Sequence, residues 1–284
     1  INMEKPKLLS LIKKIYKPNF SNLSPTDVYT YFVTEFPYKE FANGMKPEDI
    51  IMASDQLPMV NTLRHRLVHR WEHTNEDALK RVIHFDIQKT EELIKGKWSE
   101  ETLNSYSSNN HELIKLKGLR GLIGKEKVDL IIGGPPCQAY SIAGRAQDKN
   151  SMKNDYRNYL FESFVKVVDE FKPEVFVFEN VPGLLSACPG NISVPQRIHE
   201  AFMKIGYVIL NPNELKNAIY SAEKFGVAQS RKRVIIIGVK SGNENKLVNV
   251  YRKLTDFSLF EKSRRSLKDV IGNLPKLKPL TAAA

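Results

Sequence analysis

The chain has 284 residues, 42% hydrophobic and 26% charged, which is an ordinary globular composition with room for one large α/β domain or a domain plus a small extension. No apolar run approaches the roughly 18 residues of a membrane span. The first residues carry no secretory apolar core, and with two cysteines the expectation is a reducing, intracellular compartment rather than a disulfide scaffold. The net charge of +11 points to a polyanionic partner, because lysines and arginines that neutralise phosphates gain affinity through counterion release.

Residues 1–48 read as an N-terminal leader. Within it Lys7 to Tyr16 sets Leu8, Leu9, Leu11, Ile12 and Ile15 against Lys7, Lys13 and Lys14, the pattern of a short amphipathic helix that Pro18 ends. Ile50 to Ser54 reads as a strand ending at Asp55. Pro58 to Trp71 reads as a helix with Val60, Leu63, Leu67 and Trp71 on one face. Val82-Ile83-His84-Phe85 is a second strand, ending at Asp86. Residues 88–120 are a long polar connection with helical pieces of its own. The apolar run Val128-Asp129-Leu130-Ile131-Ile132 reads as a buried strand. Gly133-Gly134-Pro135-Pro136-Cys137-Gln138 follows, and its glycines and prolines stop the strand and stiffen a turn that delivers a cysteine.

Residues 139–157 form a polar, partly basic loop. Tyr159 to Phe171 is a helix, with Leu160, Phe161, Phe164, Val165, Val168 and Phe171 at the 3.6-residue period. Val175 to Phe178 is a buried strand ending at Glu179-Asn180-Val181. Pro195 to Ile205 is a helix, and Tyr207 to Leu210 and Val234 to Val239 are further strands. Strands alternating with helices, most of them continuously apolar, indicate an α/β fold with a doubly wound, mostly parallel sheet and helices on both faces. The division read from this pattern is a leader over 1–48, a catalytic domain over 49–240 and a basic linker over 241–284.

Ligands of open α/β sheets bind beyond the carboxyl ends of the strands. Here those ends carry Asp55, Asp86, Cys137 and Glu179, and Gln229-Ser230-Arg231-Lys232-Arg233 precedes the last strand. One acid at a strand end is most often a cap or turn residue; four reactive or polar residues around one rim form a candidate site. By itself the Cys137 turn is compatible with either a nucleophile or a small buried thiol. Cys188 has no base or donor motif beside it and reads as an ordinary loop thiol. A zinc deaminase needs P-C-x-x-C; position 140 is tyrosine, so that reading is rejected and no metal site is expected.

Gly134-Pro135-Pro136-Cys137-Gln138-Ala139-Tyr140-Ser141, Phe178-Glu179-Asn180-Val181 and Gln229-Ser230-Arg231-Lys232-Arg233 together resemble the DNA cytosine-5 methyltransferases, in family order and over roughly residues 50–240. The resemblance implies a class I, Rossmann-like methyltransferase fold and S-adenosylmethionine as donor. It casts Cys137 as the nucleophile that adds to carbon 6 of cytosine. Glu179 is then the group on ring nitrogen 3 and the exocyclic amine, and Arg231 and Arg233 are the arginines that orient the site and bind the base carbonyl. It also implies donor contacts by Asp55 (ribose hydroxyls), Asp86 and Ile87 (adenine), Pro135 and Leu160, and DNA contacts by Gln138, Ser141 and Arg145 in a loop closing over a flipped base.

Two family features are not seen. No G-x-G occurs in the chain, so the glycine turn that lets the backbone approach a donor's methionine part is missing. After Ser266 to Pro275, which resembles the lead into a target-recognition domain, the chain reaches an alanine tail. The expectation is a piece of a bacterial restriction-modification methylase, cytoplasmic and nucleoid-associated, acting on double-stranded DNA with no membrane partner. The alternatives are a tRNA cytosine-5 methyltransferase, a non-catalytic DNA-binding scaffold, and one part of a naturally split enzyme whose second subunit carries the recognition domain.

Overall fold

The computed structural model describes residues 50–135, 160–189, 193–259 and 266–273. The amphipathic segment expected at Lys7 to Tyr16, and the loop over 139–157, lie outside them. The chain divides into a larger unit, Glu48–Tyr220 with Lys232–Asp256, and a smaller one, Ile1–Pro47 with Ser221–Arg231 and Phe257–Ala284. In the smaller unit a short helix at Leu267–Ile271 starts on Ser266, whose hydroxyl accepts from Asp269 N–H while the Asp269 carboxylate accepts from Ser266 N–H. This reciprocal cap satisfies two otherwise orphaned donors.

The larger unit opens with β1 (Met52–Ser54) and α1 (Leu57–Trp71), then α2 (Asn75–Arg81) and β2 (Val82–His84). Pro58 sits in the first turn of α1, where its missing N–H costs nothing. Val60 and Leu67 are fully buried on one face of α1 and meet Ala78 and Val82. Thr74 caps α2 by accepting from Asp77 N–H. Burial opposes ionisation of Asp77, yet its bonds from Arg81 and His73 outweigh this and lower its pKa. Residues 88–120 do carry helices of their own: α3 (Thr90–Lys95), α4 (Glu100–Tyr106) and the start of α5 (Glu112–Ile123). They pack Leu93, Trp98, Ile114 and Leu119 against Ile83 and Phe85.

β3 (Leu130–Gly133), α6 (Leu160–Phe171), β4 (Val175–Asn180), α7 (Val194–Lys204), β5 (Tyr207–Val208), β6 (Ile219–Ser221), β7 (Lys232–Lys240) and α8 (Glu244–Leu259) complete the order. β1 and β2 form a two-stranded parallel sheet. A five-stranded sheet runs β3-β4-β7-β5, with β6 also on β7. β3 and β4 are parallel, whereas β7 is antiparallel to both β4 and β5. The α/β class is therefore as the alternation implies, with one reversed strand that no run of apolar residues distinguishes from its neighbours.

Aromatic rings fill the core. Phe176 stacks on Phe202 with centroids 4.0 Å apart, and Phe164 meets Phe178 edge-on at 5.4 Å. Gly238 lies opposite Phe176 on β7, and a Cβ there would stand 2.1 Å from the Phe176 ring, so only glycine lets the ring lie flat on the sheet. Tyr251 of α8 is held in the same core. Its hydroxyl accepts from Ile237 N–H at 2.9 Å and donates to Ile235 C=O at 3.1 Å, and burial raises its pKa.

The reading of residues 128–132 as a buried strand needs correction. In β3 Leu130 is 42% exposed and Ile132 68%. β3 ends the strand order of its sheet, so among the described residues it has a neighbour on one side only. Ile131 packs on the core cluster, while the alternate side chains face outward. The segment after residue 241 also differs from a linker: α8 buries Leu247 and Tyr251. Its Leu247, Val250, Tyr251 and Leu254 keep the i, i+3, i+4, i+7 spacing of an amphipathic helix and pack on the core cluster, a stripe that the linker reading passes over.

One electrostatic cluster ties three strands at one end of this sheet. Glu174, just before β4, contacts Lys127, ahead of β3, at 2.7 Å and Lys240, the last residue of β7, at 2.9 Å. These two ammonium groups hold its carboxyl at about 2. A lowered folded pKa means the contribution is complete above the ordinary carboxylate range and is lost as pH falls towards 2. Glu174→Gln is expected to flatten the acid limb of a melting-temperature profile below pH ~4.5, modestly and only at low salt, since the groups are exposed. An unaltered acid limb in low-salt buffer would show that the contacts carry no stability.

Candidate functional site

β4 alternates. Phe176, Phe178 and Asn180 are buried, and Val175, Val177 and Glu179 lie on the more open face. The strand thus fixes its two polar terminal residues in opposite senses, Glu179 towards solvent and Asn180, 2% exposed, into the protein. Antiparallel pairing sets Glu179 opposite Ile235 and Asn180 opposite Val234, which brings Arg233 alongside. Arg233 Nε lies 2.6 Å from Glu179 Oε1, and Arg233 Nη1 donates to Lys232 C=O at 2.8 Å. The ion pair is partly exposed, at 26% and 38% for the two side chains. Its worth lies in orientation of the carboxylate more than in stability.

The turn after β3 meets the same place. Gly133 pairs with Phe178 in register, so Gly134 and Pro135 run beside Glu179 and Asn180. A Cβ on Gly134 would stand 2.9 Å from Glu179 Oε2. The carboxylate thus lies over the bare backbone of residue 134, with its other oxygen on Arg233. Pro135 C=O accepts from Asn180 Nδ2 at 3.4 Å, and Asn180 Oδ1 accepts from Val181 N–H at 2.9 Å. Of the residues expected here, Glu179, Arg233 and Pro135 are brought together. Cys137 follows Pro135 by two positions in sequence and, with Gln138, Ser141 and Arg145, lies outside the described residues. Arg231 belongs to the smaller unit, where its N–H donates to Gln229 C=O at 2.9 Å and its carbonyl accepts from Ala222 N–H at 2.8 Å.

The residues expected at a nucleotide-like donor lie on the β1–β2 pair. Ser54 is opposite His84, so Asp55 and Asp86 leave the same end of two parallel strands. His84 Nε2 donates to Asp55 C=O at 3.2 Å. Asp86 forms a tight turn, accepting from Gln88 N–H at 2.9 Å and Gln88 Nε2 at 3.2 Å. Ile87 packs against the Ile83–Phe85 cluster. Tyr106, which the sequence did not single out, stands over His84 with ring centroids 5.1 Å apart. Burial, then the charges of Asp86 and Asp55, raise its pKa, with Lys89 opposing. Its only sequence signal is an aromatic residue in a polar connection. Leu160 starts α6 and is buried, 6% exposed. Paired acids at neighbouring strand ends with an aromatic ring beside them suit the diol and amine of a nucleoside.

Other features are quieter. Cys188 is an exposed free thiol. Among the described residues no group of three His, Cys, Asp or Glu side chains is placed to hold a metal ion. No helix there is long and apolar enough to cross a membrane.

Residues 82–282 match the protein family described as C-5 cytosine-specific DNA methylase. The chain is 47% identical over 154 residues to the type II methyltransferase M.Bpa9945I of Bacillus paralicheniformis, covering 54% of this chain and 33% of that protein. It is 36% identical over 155 residues to the type II methyltransferase M1.HphI of Haemophilus parahaemolyticus, covering 55% and 37%. It is 34% identical over 169 residues to the type II methyltransferase M.AquIA of a Picosynechococcus strain, covering 56% and 65%. The chain spans about a third of the length of the first two relatives.

Proposed function

Because this chain belongs to the C-5 cytosine-specific DNA methylase family, we propose that it methylates carbon 5 of cytosine in double-stranded DNA, in a bacterial restriction-modification setting. The observation that carries this reading is the Glu179 carboxylate held by Arg233 at 2.6 Å beside the turn that leads into Cys137.

Carbon 5 of cytosine is too weak a nucleophile to take a methyl group unaided. The Cys137 thiolate adds to carbon 6, and the electrons of the carbon 5–carbon 6 bond become available at carbon 5. Glu179, poised at the edge of the ring, accepts from the exocyclic amine and, in its protonated form, donates to nitrogen 3, so that a proton neutralises the electron density pushed into the ring as the thiolate adds. Arg233 holds that carboxylate in one rotamer, and Arg231 and Arg233 supply planar donors for the base carbonyl. After carbon 5 is methylated, a base takes its proton, the ring double bond reforms and the thiolate leaves.

The donor is S-adenosylmethionine, which supplies a methyl group made electrophilic by a positively charged sulfur. Asp55 would hold its ribose hydroxyls and Asp86 its adenine amine, with Ile87, Pro135 and Leu160 around it. The target base must leave the duplex to reach Cys137, and Gln138, Ser141 and Arg145 would contact the DNA as it does so. The excess of basic residues suits a phosphate backbone, and such a substrate places the enzyme with the chromosome in the cytoplasm.

The test is transfer of labelled methyl groups to duplex DNA and to tRNA, alongside trapping on DNA containing 5-fluorocytosine. Label in DNA and a covalent adduct at Cys137 are expected. Label in tRNA alone, or no adduct with donor present, would overturn the proposal. Gly134→Ala gives a second check, since its methyl group would displace the Glu179 carboxylate. Turnover is expected to fall about 10²-fold, the scale of a roughly 1 Å misplacement, with little change in melting temperature. An active Gly134→Ala enzyme would mean that the carboxylate position is not critical.

A further inference from the structure

The turn that carries Cys137 has an unusual shortage of donors. Pro135 and Pro136 are consecutive, and neither has an N–H. Two successive residues therefore cannot tie the turn down by the backbone bonds that usually fix such segments. What the turn does offer is a carbonyl, and Pro135 C=O receives Asn180 Nδ2 at 3.4 Å. Asn180 is suited to give it. Its side chain is buried, and its Oδ1 is occupied by Val181 N–H at 2.9 Å. That bond determines which end of the carboxamide is oxygen and so aims the NH₂ at the turn. Asn180 also follows Glu179 on β4 and pairs with Val234, the neighbour of Arg233.

We propose that Asn180 is a positioning residue. Its carboxamide latches Pro135 to the end of β4 beside Glu179, at the point from which the chain runs on to Cys137. The catalytic meaning of this latch rests on the function proposed above for Cys137 and Glu179; the latch itself is a statement about the turn.

The experiment uses the full chain with Cys188→Ala, so that Cys137 is the sole thiol, and compares Asn180→Ala and Asn180→Asp with this parent. In Asn180→Ala the turn loses its donor. The rate of Cys137 alkylation by iodoacetamide is expected to change several-fold. Turnover is expected to fall about 10²-fold with little change in KM for DNA, as for a misplaced reacting group. Asn180→Asp separates the two ends of the amide. Its carboxylate still accepts from Val181 N–H but cannot donate to Pro135 until it is protonated. Its activity relative to the parent is therefore expected to rise as pH falls. That reading is made within one protein and survives if Asn180→Ala folds poorly.

Unchanged alkylation and turnover in folded Asn180→Ala, or a parental pH profile in Asn180→Asp, would overturn the latch. Methylation that persists in Cys137→Ser would instead overturn the nucleophile assignment, while the alkylation comparison would still report on the latch.

Discussion

Cys137→Ser is expected to leave a folded protein that no longer turns over. The hydroxyl occupies nearly the same volume as the thiol, so packing offers little reason for instability. Chemistry offers every reason for inactivity. A thiol near its ordinary pKa is a few per cent thiolate at neutral pH and intrinsically nucleophilic, whereas a serine hydroxyl is not ionised and is a weak nucleophile. Without addition at carbon 6, carbon 5 has no means of attacking a methyl group. The expected loss is on the order of 10⁶-fold, the scale of removing a nucleophile from other enzymes. The check is single-turnover methylation of duplex DNA together with donor binding and thermal melting. Donor binding and melting are expected to match the parent. Turnover within tenfold of the parent would remove Cys137 from the mechanism.

Glu179→Gln is expected to cost about 10² to 10³-fold in turnover, the range for removing one charge-stabilising group, with smaller effects on folding. The substituted amide keeps an oxygen acceptor for Arg233 Nε, so the contact now at 2.6 Å persists in shape. What disappears is the carboxyl proton that can pass to nitrogen 3 as the thiolate adds, which a carboxamide cannot give up. Glu179→Ala removes both charge and contact, frees Arg233 from its partner, and is expected to be more severe in KM as well as in turnover. A near-parental rate for Glu179→Gln would reduce Glu179 to a strand-end acid whose role is to pair with Arg233. Comparing the two variants separates proton transfer from positioning, which neither does alone.

Much of the fold could be read from local periodicity. α6 announces itself through Leu160, Phe161, Phe164, Val165 and Val168, all buried. β4 does so through Val175 to Phe178, and α7 through Ile198 and Phe202. In each case a one-sided apolar pattern has one way to be buried. Where that condition fails, sequence reading fails too. β3 looks as apolar as β4, but its burial depends on what lies beside it, and Leu130 and Ile132 face outward. α8 is a different case: Leu247, Val250, Tyr251 and Leu254 fall at helical spacing and pack on the core, a legible stripe that the charged residues around it hide when the segment is read as a basic linker. The reversal of β7 leaves no trace in composition, because an apolar strand reads the same in either direction.

The sequence by itself determined the α/β class, the strand ends at which Asp55, Asp86 and Glu179 lie, and the three motifs that place this chain in its family. Chemistry of that kind is carried by residue type and spacing along the chain. Tertiary structure alone decided which of these residues touch. Glu179 and Arg233 are far apart in sequence and meet at 2.6 Å because β4 and β7 pair antiparallel in one register. Gly134 matters because the Glu179 carboxylate lies over it, and Asn180 because its amide reaches Pro135. Such contacts depend on register, and a one-residue slip would turn each of these side chains to the other face of the sheet.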